Sequence, residues 1–248
     1  GGPIRKDRTF YFVNMQWLRT HETGTFTSSV YSATARKGLY RYVIGGRNQP
    51  SGVSGASVDA SGNVLPGLNI GTYDVVANDP QHLGQDPTVM KQVNMMPLPN
   101  NFAVGDGLNT AGFTYVAPQF ERQHDVTFKI DHVLSPNQTV FARVYFGEQD
   151  THCDQVNGGQ PAYPGGPCMV DTTRSPRNLA FNWRWNPTAR TTNELVVGQQ
   201  HYTYNFVTPT ADASIPDITW YSQVTLPVPS GVGNLRTITT YQAVDNFS

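Results

Sequence analysis

The sequence FERQHDVTFKIDHVLSPNQTVFARVYFGEQ, residues 120 to 149, decides the fold of this chain. One face of its first half carries His124, Val126, Phe128, Ile130, His132 and Leu134, and the other face carries Asp125, Thr127, Lys129 and Asp131. Side chains alternate between the two faces of a strand, so this half predicts a strand with one apolar and one polar face. Ser135, Pro136 and Asn137 follow, a combination typical of a tight turn.

The chain then returns in a second alternating run. Its apolar positions are Val140, Ala142, Val144 and Phe146, its polar positions include Arg143 and Tyr145, and Phe141 interrupts the polar face. Together the two runs predict an antiparallel hairpin with long arms and a very short turn.

Four further stretches predict strands, at residues 9–20, 177–185, 189–206 and 236–246. Asn186-Pro187-Thr188 predicts a second tight turn, between the second and third of them. The chain is therefore interpreted as a single β region, 1–248, with a long loop insertion at 21–119 and shorter loops at 150–176 and 207–235. Inside the insertion, Asp86 and Pro87 predict the start of a short helix that ends before Pro97.

The lengths of the connections alternate. Long connections follow the first, third and fifth strands and tight turns follow the second and fourth, so all long loops leave an up-and-down meander at one end. This asymmetry is typical of outer-membrane barrels, whose tilted strands need about ten residues to cross a bilayer. A soluble β-sandwich with one elaborated end remains the alternative. The expected fold is all-β, an antiparallel up-and-down meander of about six long strands.

Composition narrows the function classes. With 17 basic and 18 acidic residues, the chain has no positive field that would hold nucleic-acid phosphates. The 12 Tyr, 12 Phe and 4 Trp residues argue against intrinsic disorder. No apolar run is long enough for a transmembrane helix. No nucleophile–base motif, phosphate-binding loop or metal-spaced histidine set is present, so neither an enzyme nor a bound cofactor is expected.

Four segments resemble TonB-dependent outer-membrane receptors of the large type that carries a carboxypeptidase-regulatory-like domain. They are GGPIRKDRTFYFVN at 1–14, MMPLPNN at 95–101 followed by GDGLN at 105–109, the hairpin from Lys129 to Val144, and YQAVDNFS at 241–248. The segments are spread over nearly the whole chain, in the order found in the family. The resemblance implies a 22-stranded barrel, a plug domain and energy-driven uptake of a ligand.

The same resemblance implies that the chain is the N-terminal part of the barrel, with the plug before Gly1 and about sixteen further strands after Ser248. Both ends of the sequence are consistent with cuts in a longer polypeptide. Six strands cannot close a barrel, because closure takes at least about eight. The two unpaired edges would pair with the rest of the receptor, or with copies of the same chain in a self-assembled filament. A sugar-binding sandwich is a third, weaker hypothesis.

Candidate site residues follow from this interpretation. At a cell surface, Cys153 and Cys168 are expected to form a disulfide, with a metal pair assisted by His152 and Asp154 as the alternative. Asp125, Lys129, Asp131 and Arg143 are expected to form a charge network on the polar face, in the barrel lumen or against a plug or ligand.

Aromatic and acidic side chains complete the expectations. The aromatic residues expected at a bilayer girdle, or at a sugar or subunit interface, are Trp183, Trp185, Tyr202 and Tyr204, with Tyr40, Tyr42 and Trp220 as further members. Asp59 and Asp106 lie near Gly and Asn in loops and could ligate calcium, although they lack the spacing of an EF-hand loop. His124 and His132 are expected to pack at the ends of the apolar face.

Overall fold

Seven antiparallel strands form one open sheet in the computed structural model, which describes residues 1–209, 223–228 and 233–248. They are β1 (Gly2–Arg5), β2 (Thr9–Tyr31), β5 (Thr110–Ser135), β6 (Gln138–His152), β7 (Asp171–Thr188), β8 (Thr191–Val207) and β9 (Asn234–Phe247), adjacent in that order. The connection after β2 contains the two-stranded sheet of β3 (Leu39–Val43) and β4 (Ile70–Asp74), and the helix α1 (Pro87–Met95). Short 3-10 helices lie at Ala35–Lys37 and Gln155–Asn157. The predicted meander is confirmed, and the sheet does not close into a barrel.

The first two long strands extend further than the sequence predicts. β2 continues beyond Thr20 to Tyr31, β5 begins at Thr110 rather than near Phe120, and their register is unbroken from Thr9↔His132 to Tyr31↔Thr110. The long insertion therefore narrows from 21–119 to 32–109, and the cysteine-containing connection narrows from 150–176 to 153–170. The added residues are rich in Thr, Ser and Gly and lack sustained apolar alternation, so the sequence does not mark them as strands. Part of the predicted 207–235 loop lies outside the described residues.

The strand register sorts the side chains as the hairpin pattern predicted. Val126 pairs with Phe146 and Phe128 with Val144, and the row continues across the sheet. One such row reads Tyr11, Ile130, Ala142, Phe181, Val197 and Ala243. On β2 the apolar face extends from Tyr11 to Trp17, a length of about 20 Å at the usual rise of a strand. This length is close to that of the apolar band of membrane barrels.

The predicted helix forms where its capping signal lies. The Asp86 carboxylate accepts hydrogen bonds from the backbone N–H groups of Thr88 at 2.7 Å and Val89 at 3.0 Å, and Pro87 occupies the first helical position. These donors have no partner inside a helix, so the side chain fixes the start of α1. Within the described part of the chain, no helix is long and apolar enough to cross a membrane.

The two faces of β5 can be separated by a matched pair of substitutions at neighbouring positions. Phe128→Arg puts a charge on the apolar face, and Thr127→Arg puts the same charge on the polar face. In a bilayer we expect Phe128→Arg to lower the free energy of unfolding by about 2–4 kcal/mol, and Thr127→Arg to have a small effect. Urea unfolding of the intact protein in lipid vesicles, monitored by heat-modifiable gel mobility, measures the free energy of unfolding of both variants. Equal losses for the two variants would contradict the assignment of faces.

Candidate functional site

The three connections at one end of the sheet pack against each other. We call residues 32–109, 153–170 and 223–228, as far as described, the loop layer. Its buried core combines Val30 of β2 with Met96, Ala162, Tyr163 and Val224, one or two residues from each connection. Because all three loops contribute to one core, the loop layer is a folded unit rather than three independent excursions.

Hydrogen bonds join the loops to one another and to β2. The Ser28 hydroxyl donates to the Ala162 carbonyl at 2.6 Å, and the Tyr163 hydroxyl donates to the Thr225 carbonyl. Thr225 also donates its backbone N–H to the Ser29 carbonyl at 2.9 Å. Burial raises the pKa of Tyr163, so its hydroxyl keeps the proton that it donates. These contacts fix 153–170 and 223–228 against the upper part of β2.

Arg36, in the loop at 32–109, donates hydrogen bonds to three backbone carbonyls. Its Nε donates to the Tyr31 carbonyl at 3.2 Å, its Nη1 to the Met96 carbonyl at 2.6 Å, and its Nη2 to the Pro97 carbonyl. Burial lowers the pKa of this guanidinium, against an opposing electrostatic effect of Tyr163, but arginine still keeps its charge. One side chain thus joins the end of β2 to the MMPLPNN segment.

Asparagine side chains complete exposed strand edges in the same region. Asn100 accepts from the Thr114 N–H at 2.7 Å and donates to the Thr114 carbonyl at 2.9 Å, as a neighbouring strand would. Asn109 makes the same pair of bonds with Arg41, at 2.7 Å and 2.9 Å. The segments 95–101 and 105–109, on which the receptor resemblance depends, are therefore positioned as structural supports of the loop layer.

Asp106 is a hydrogen-bond centre of this support. Its carboxylate accepts backbone N–H groups from Leu108, Asn109 and Thr110 at 2.6–3.0 Å, and it also accepts the side-chain amide of Asn48. Burial alone would raise the pKa of Asp106, but these donors hold it below its usual value. Asp59 is occupied in a similar way by Ser61 and Asn63. Donor groups surround both carboxylates, which does not favour the calcium alternative.

Cys153 and Cys168 form the predicted disulfide. His152 lies beside it, with Nε2 at 3.3 Å from the Cys168 Sγ and Nδ1 at 3.0 Å from the Asp171 carboxylate. Asp154 instead makes an ion pair with Arg174 at 3.2 Å. Because a metal-binding cysteine must be a free thiolate, the oxidised pair does not support the alternative metal site with His152 and Asp154.

The four predicted charges on the polar face do not form one network among the described residues. Lys129 pairs with Asp131 at 2.6 Å and lies 4.6 Å from the centre of the Phe141 ring. Asp125 accepts from the Tyr145 hydroxyl at 2.6 Å and belongs to a second group. Arg143 lies directly opposite Lys129, a like charge, and donates to Asn178 at 3.3 Å.

The aromatic residues expected in one girdle lie in three places. Trp183 and Trp185 stack at 6.0 Å on the apolar face near the turns. Tyr202 and Tyr204 pair with Pro176 and Arg174, whose side chains point to the face of β7 opposite to Trp183 and Trp185. The two tyrosines therefore lie on the polar face, and the expected common girdle is wrong for them. Their strand alternates weakly and had no faces assigned from sequence.

The other expected aromatic and histidine positions have different surroundings. Tyr40 and Tyr42 stack on β3, inside the loop layer and away from the apolar band, so they are not girdle residues either. Trp220 lies outside the described residues. His132 lies at the end of the apolar face, where its Nδ1 is 2.8 Å from the Thr9 hydroxyl.

One aromatic cluster was not singled out from the sequence as a unit. Tyr202, Tyr204 and Phe206 form a continuous row on the polar face of β8, with Arg174 and Arg236 against its rings. The run YTYNF, read with a period of two, carries this signal. We call these three residues the aromatic ladder.

The open sheet has an apolar band on one face and polar side chains on the other. It has tight turns at one end and folded loops at the other. These are the features of the wall of an outer-membrane barrel. The family model for the outer membrane beta barrel domain matches residues 1–247. The chain belongs to this family, and its location is the bacterial outer membrane in contact with lipid. No match was found among the curated proteins or among the solved structures compared with it.

Arg36 provides a test of how the loop layer is held together. Lysine keeps the charge but cannot donate to three separate carbonyls through a planar guanidinium, so we expect Arg36→Lys to destabilise the loop layer by about 1–3 kcal/mol. Limited proteolysis with thermal unfolding of the intact protein measures this loss. The control is Arg47→Lys, at an exposed arginine of the same loop. If both variants resist protease as the parent does, Arg36 does not hold the loop to β2.

Proposed function

We propose that the chain is part of a TonB-dependent receptor, in which the loop layer captures a ligand outside the cell and the barrel takes it up. The family membership limits the chain to an outer-membrane barrel, and the receptor function goes one step further. The plug and the rest of the barrel are its proposed partners.

The folded loop layer is the observation that carries this proposal. The three loops share one core, the disulfide closes the loop at 153–170, and Arg36 joins the loop at 32–109 to the end of β2. Together these contacts hold a large preformed surface above the sheet. A simple pore does not require such an ordered structure, whereas a receptor gains affinity from a site that is ordered before binding. The resemblance of residues 1–14 and 241–248 to receptor barrels supports the same function.

Energy coupling distinguishes a receptor from a passive pore. We expect the purified periplasmic domain of the TonB energy-coupling protein to capture the intact protein from detergent-solubilised outer membranes. The control is a porin from the same extract, which should stay in the unbound fraction. Capture that does not exceed the porin level would refute the receptor function while leaving the barrel assignment unaffected.

A structural role is the second candidate function, favoured by the two open edges. Within the described ranges, β9 pairs only with β8, and the outer side of β2 is covered only by β1 near Tyr11 and by Thr225 at Ser29. β2 and β9 run in opposite directions, so β9 of one copy can add to β2 of the next as an antiparallel strand. Such head-to-tail pairing need not close, and we propose a filament as its product.

The filament hypothesis predicts concentration-dependent assembly of the purified 248-residue chain. Filaments should be visible by electron microscopy, and Thr237→Lys with Thr239→Lys on β9 should abolish them, because lysine on an edge strand opposes pairing. The matched control is the double substitution to serine. A folded, monomeric chain at all concentrations would exclude this function.

A further inference from the structure

The aromatic ladder is continuous along the strand. The ring centres of Tyr202 and Tyr204 are 4.5 Å apart, and those of Tyr204 and Phe206 are 5.9 Å apart with nearly parallel planes. All three side chains are partly exposed on the polar face. The row therefore runs lengthwise from the end of β8 at the loop layer towards the middle of the sheet.

Hydrogen-bonding side chains lie on both sides of the ladder. The guanidinium of Arg174 is 5.4 Å from the centre of the Tyr204 ring, and that of Arg236 is 5.3 Å from the centre of the Phe206 ring. Gln200 and Thr240 lie beside Tyr202 in the same surface depression. The rings offer flat apolar surfaces, and the flanking groups offer donors and acceptors within reach of a molecule placed on those rings.

The ladder connects two cavities. A cavity of about 590 Å³ at the loop layer includes Phe206, Ser28, Gln160 and Thr225 in its lining. A smaller one of about 290 Å³ is lined by Gln200, Tyr202, Tyr204, Ile238 and Thr240. Phe206 belongs to the first cavity and its stacked neighbour Tyr204 to the second, so the three rings join the loop layer to the polar face of the sheet.

We propose that the aromatic ladder is a binding track for an oligosaccharide chain that passes from the loop layer along the polar face of the barrel wall. The C–H faces of successive sugar rings pack on Tyr202, Tyr204 and Phe206. The hydroxyl groups of the sugars exchange hydrogen bonds with Arg236, Gln200 and Thr240. Arg174, which is hydrogen-bonded to Thr151 and Asp154, supports the Tyr204 ring. This inference deepens the proposed capture and uptake of a ligand, and it rests on that function.

The surroundings of the ladder favour a saccharide over a segment of protein. A packed protein segment would be expected to meet several aliphatic side chains. The groups beside the rings are two arginines, Gln200 and Thr240, with Ile238 as the aliphatic member of the depression. A row of rings along the transport direction also suits a chain that slides through repeated, equivalent contacts. Stacking on aromatic faces tolerates such movement, because it has no fixed hydrogen-bond register.

The test measures binding of saccharides to the intact protein in outer-membrane vesicles. The probes are maltohexaose, cellohexaose, xylohexaose and mannohexaose, with glucose as the monomer comparison, and isothermal titration gives the affinities. We expect at least one hexasaccharide to bind. Tyr204→Ala should then weaken binding about tenfold, as expected for the loss of a ring that anchors a ligand.

Two further variants keep this test specific. Tyr204→Phe retains the ring and should bind within about twofold of the parent, since the packing face is unchanged. Tyr241→Ala lies on the opposite, apolar face of β9 and should leave the affinity unaltered. Heat-modifiable gel mobility establishes that each variant is folded in the membrane before it is titrated.

The outcomes separate this inference from the receptor function. No binding of any of the four hexasaccharides, or binding that is unchanged in Tyr204→Ala, overturns the saccharide track even when the energy-coupling domain captures the protein. Unchanged saccharide binding with increased protease cleavage in Tyr204→Ala would assign the ladder to a protein contact instead. If the energy-coupling domain fails to capture the protein while saccharide binding still depends on Tyr204, the receptor function is refuted and the binding track is supported.

Discussion

The backbone hydrogen-bond register between β2 and β5 is the constraint on which the rest of the structure depends. It continues without a shift from Thr9↔His132 to Tyr31↔Thr110. Since neighbouring side chains point to opposite faces, a shift by one residue would exchange the apolar and polar faces. The same pair of strands crosses the apolar band and then continues beyond it to Val30 in the core of the loop layer. The uninterrupted pairing of β2 with β5 therefore both places side chains in the membrane and carries the loops.

Beyond the central sheet, the paired strands β2 and β5 have free backbone groups on their outer sides. These groups need other partners, because buried polar groups without hydrogen bonds are costly. Segments of the loop layer provide them. Thr225 pairs with the outer side of β2 at Ser29, and Asn101 pairs with the outer side of β5 at Gly112. Gln155 donates its side-chain amide to the Ala117 carbonyl at 2.9 Å. The loops are thus ordered partly by completing the strands, and the strands stay extended partly because the loops complete them.

The sequence predicted the parts of the fold in which one physical signal dominates. Strict alternation located the hairpin of β5 and β6, and a capping aspartate with a following proline located α1. The upper parts of β2 and β5 were missed because they lie against the loop layer, where Thr, Ser and Gly replace the alternating apolar pattern. The sequence does not assign the faces of β8, because Tyr and Gln suit either environment. The pairing with Pro176 and Arg174 assigns Tyr202 and Tyr204 to the polar side.

The polar segments 95–101 and 105–109 act as structural supports of the loop layer. Asn100 and Asn109 act as short pieces of strand, and the Asp106 carboxylate gathers the backbone N–H groups of the turn that follows it. Gly105 and Gly107 have positive φ angles of 83° and 75°, and a side chain at Gly105 would collide with the Thr110 carbonyl. These residues fix the position of the loops within the fold of the chain itself. The conformational entropy of ordering the loops is therefore lost when the chain folds, so any partner of this surface meets loops that are already ordered.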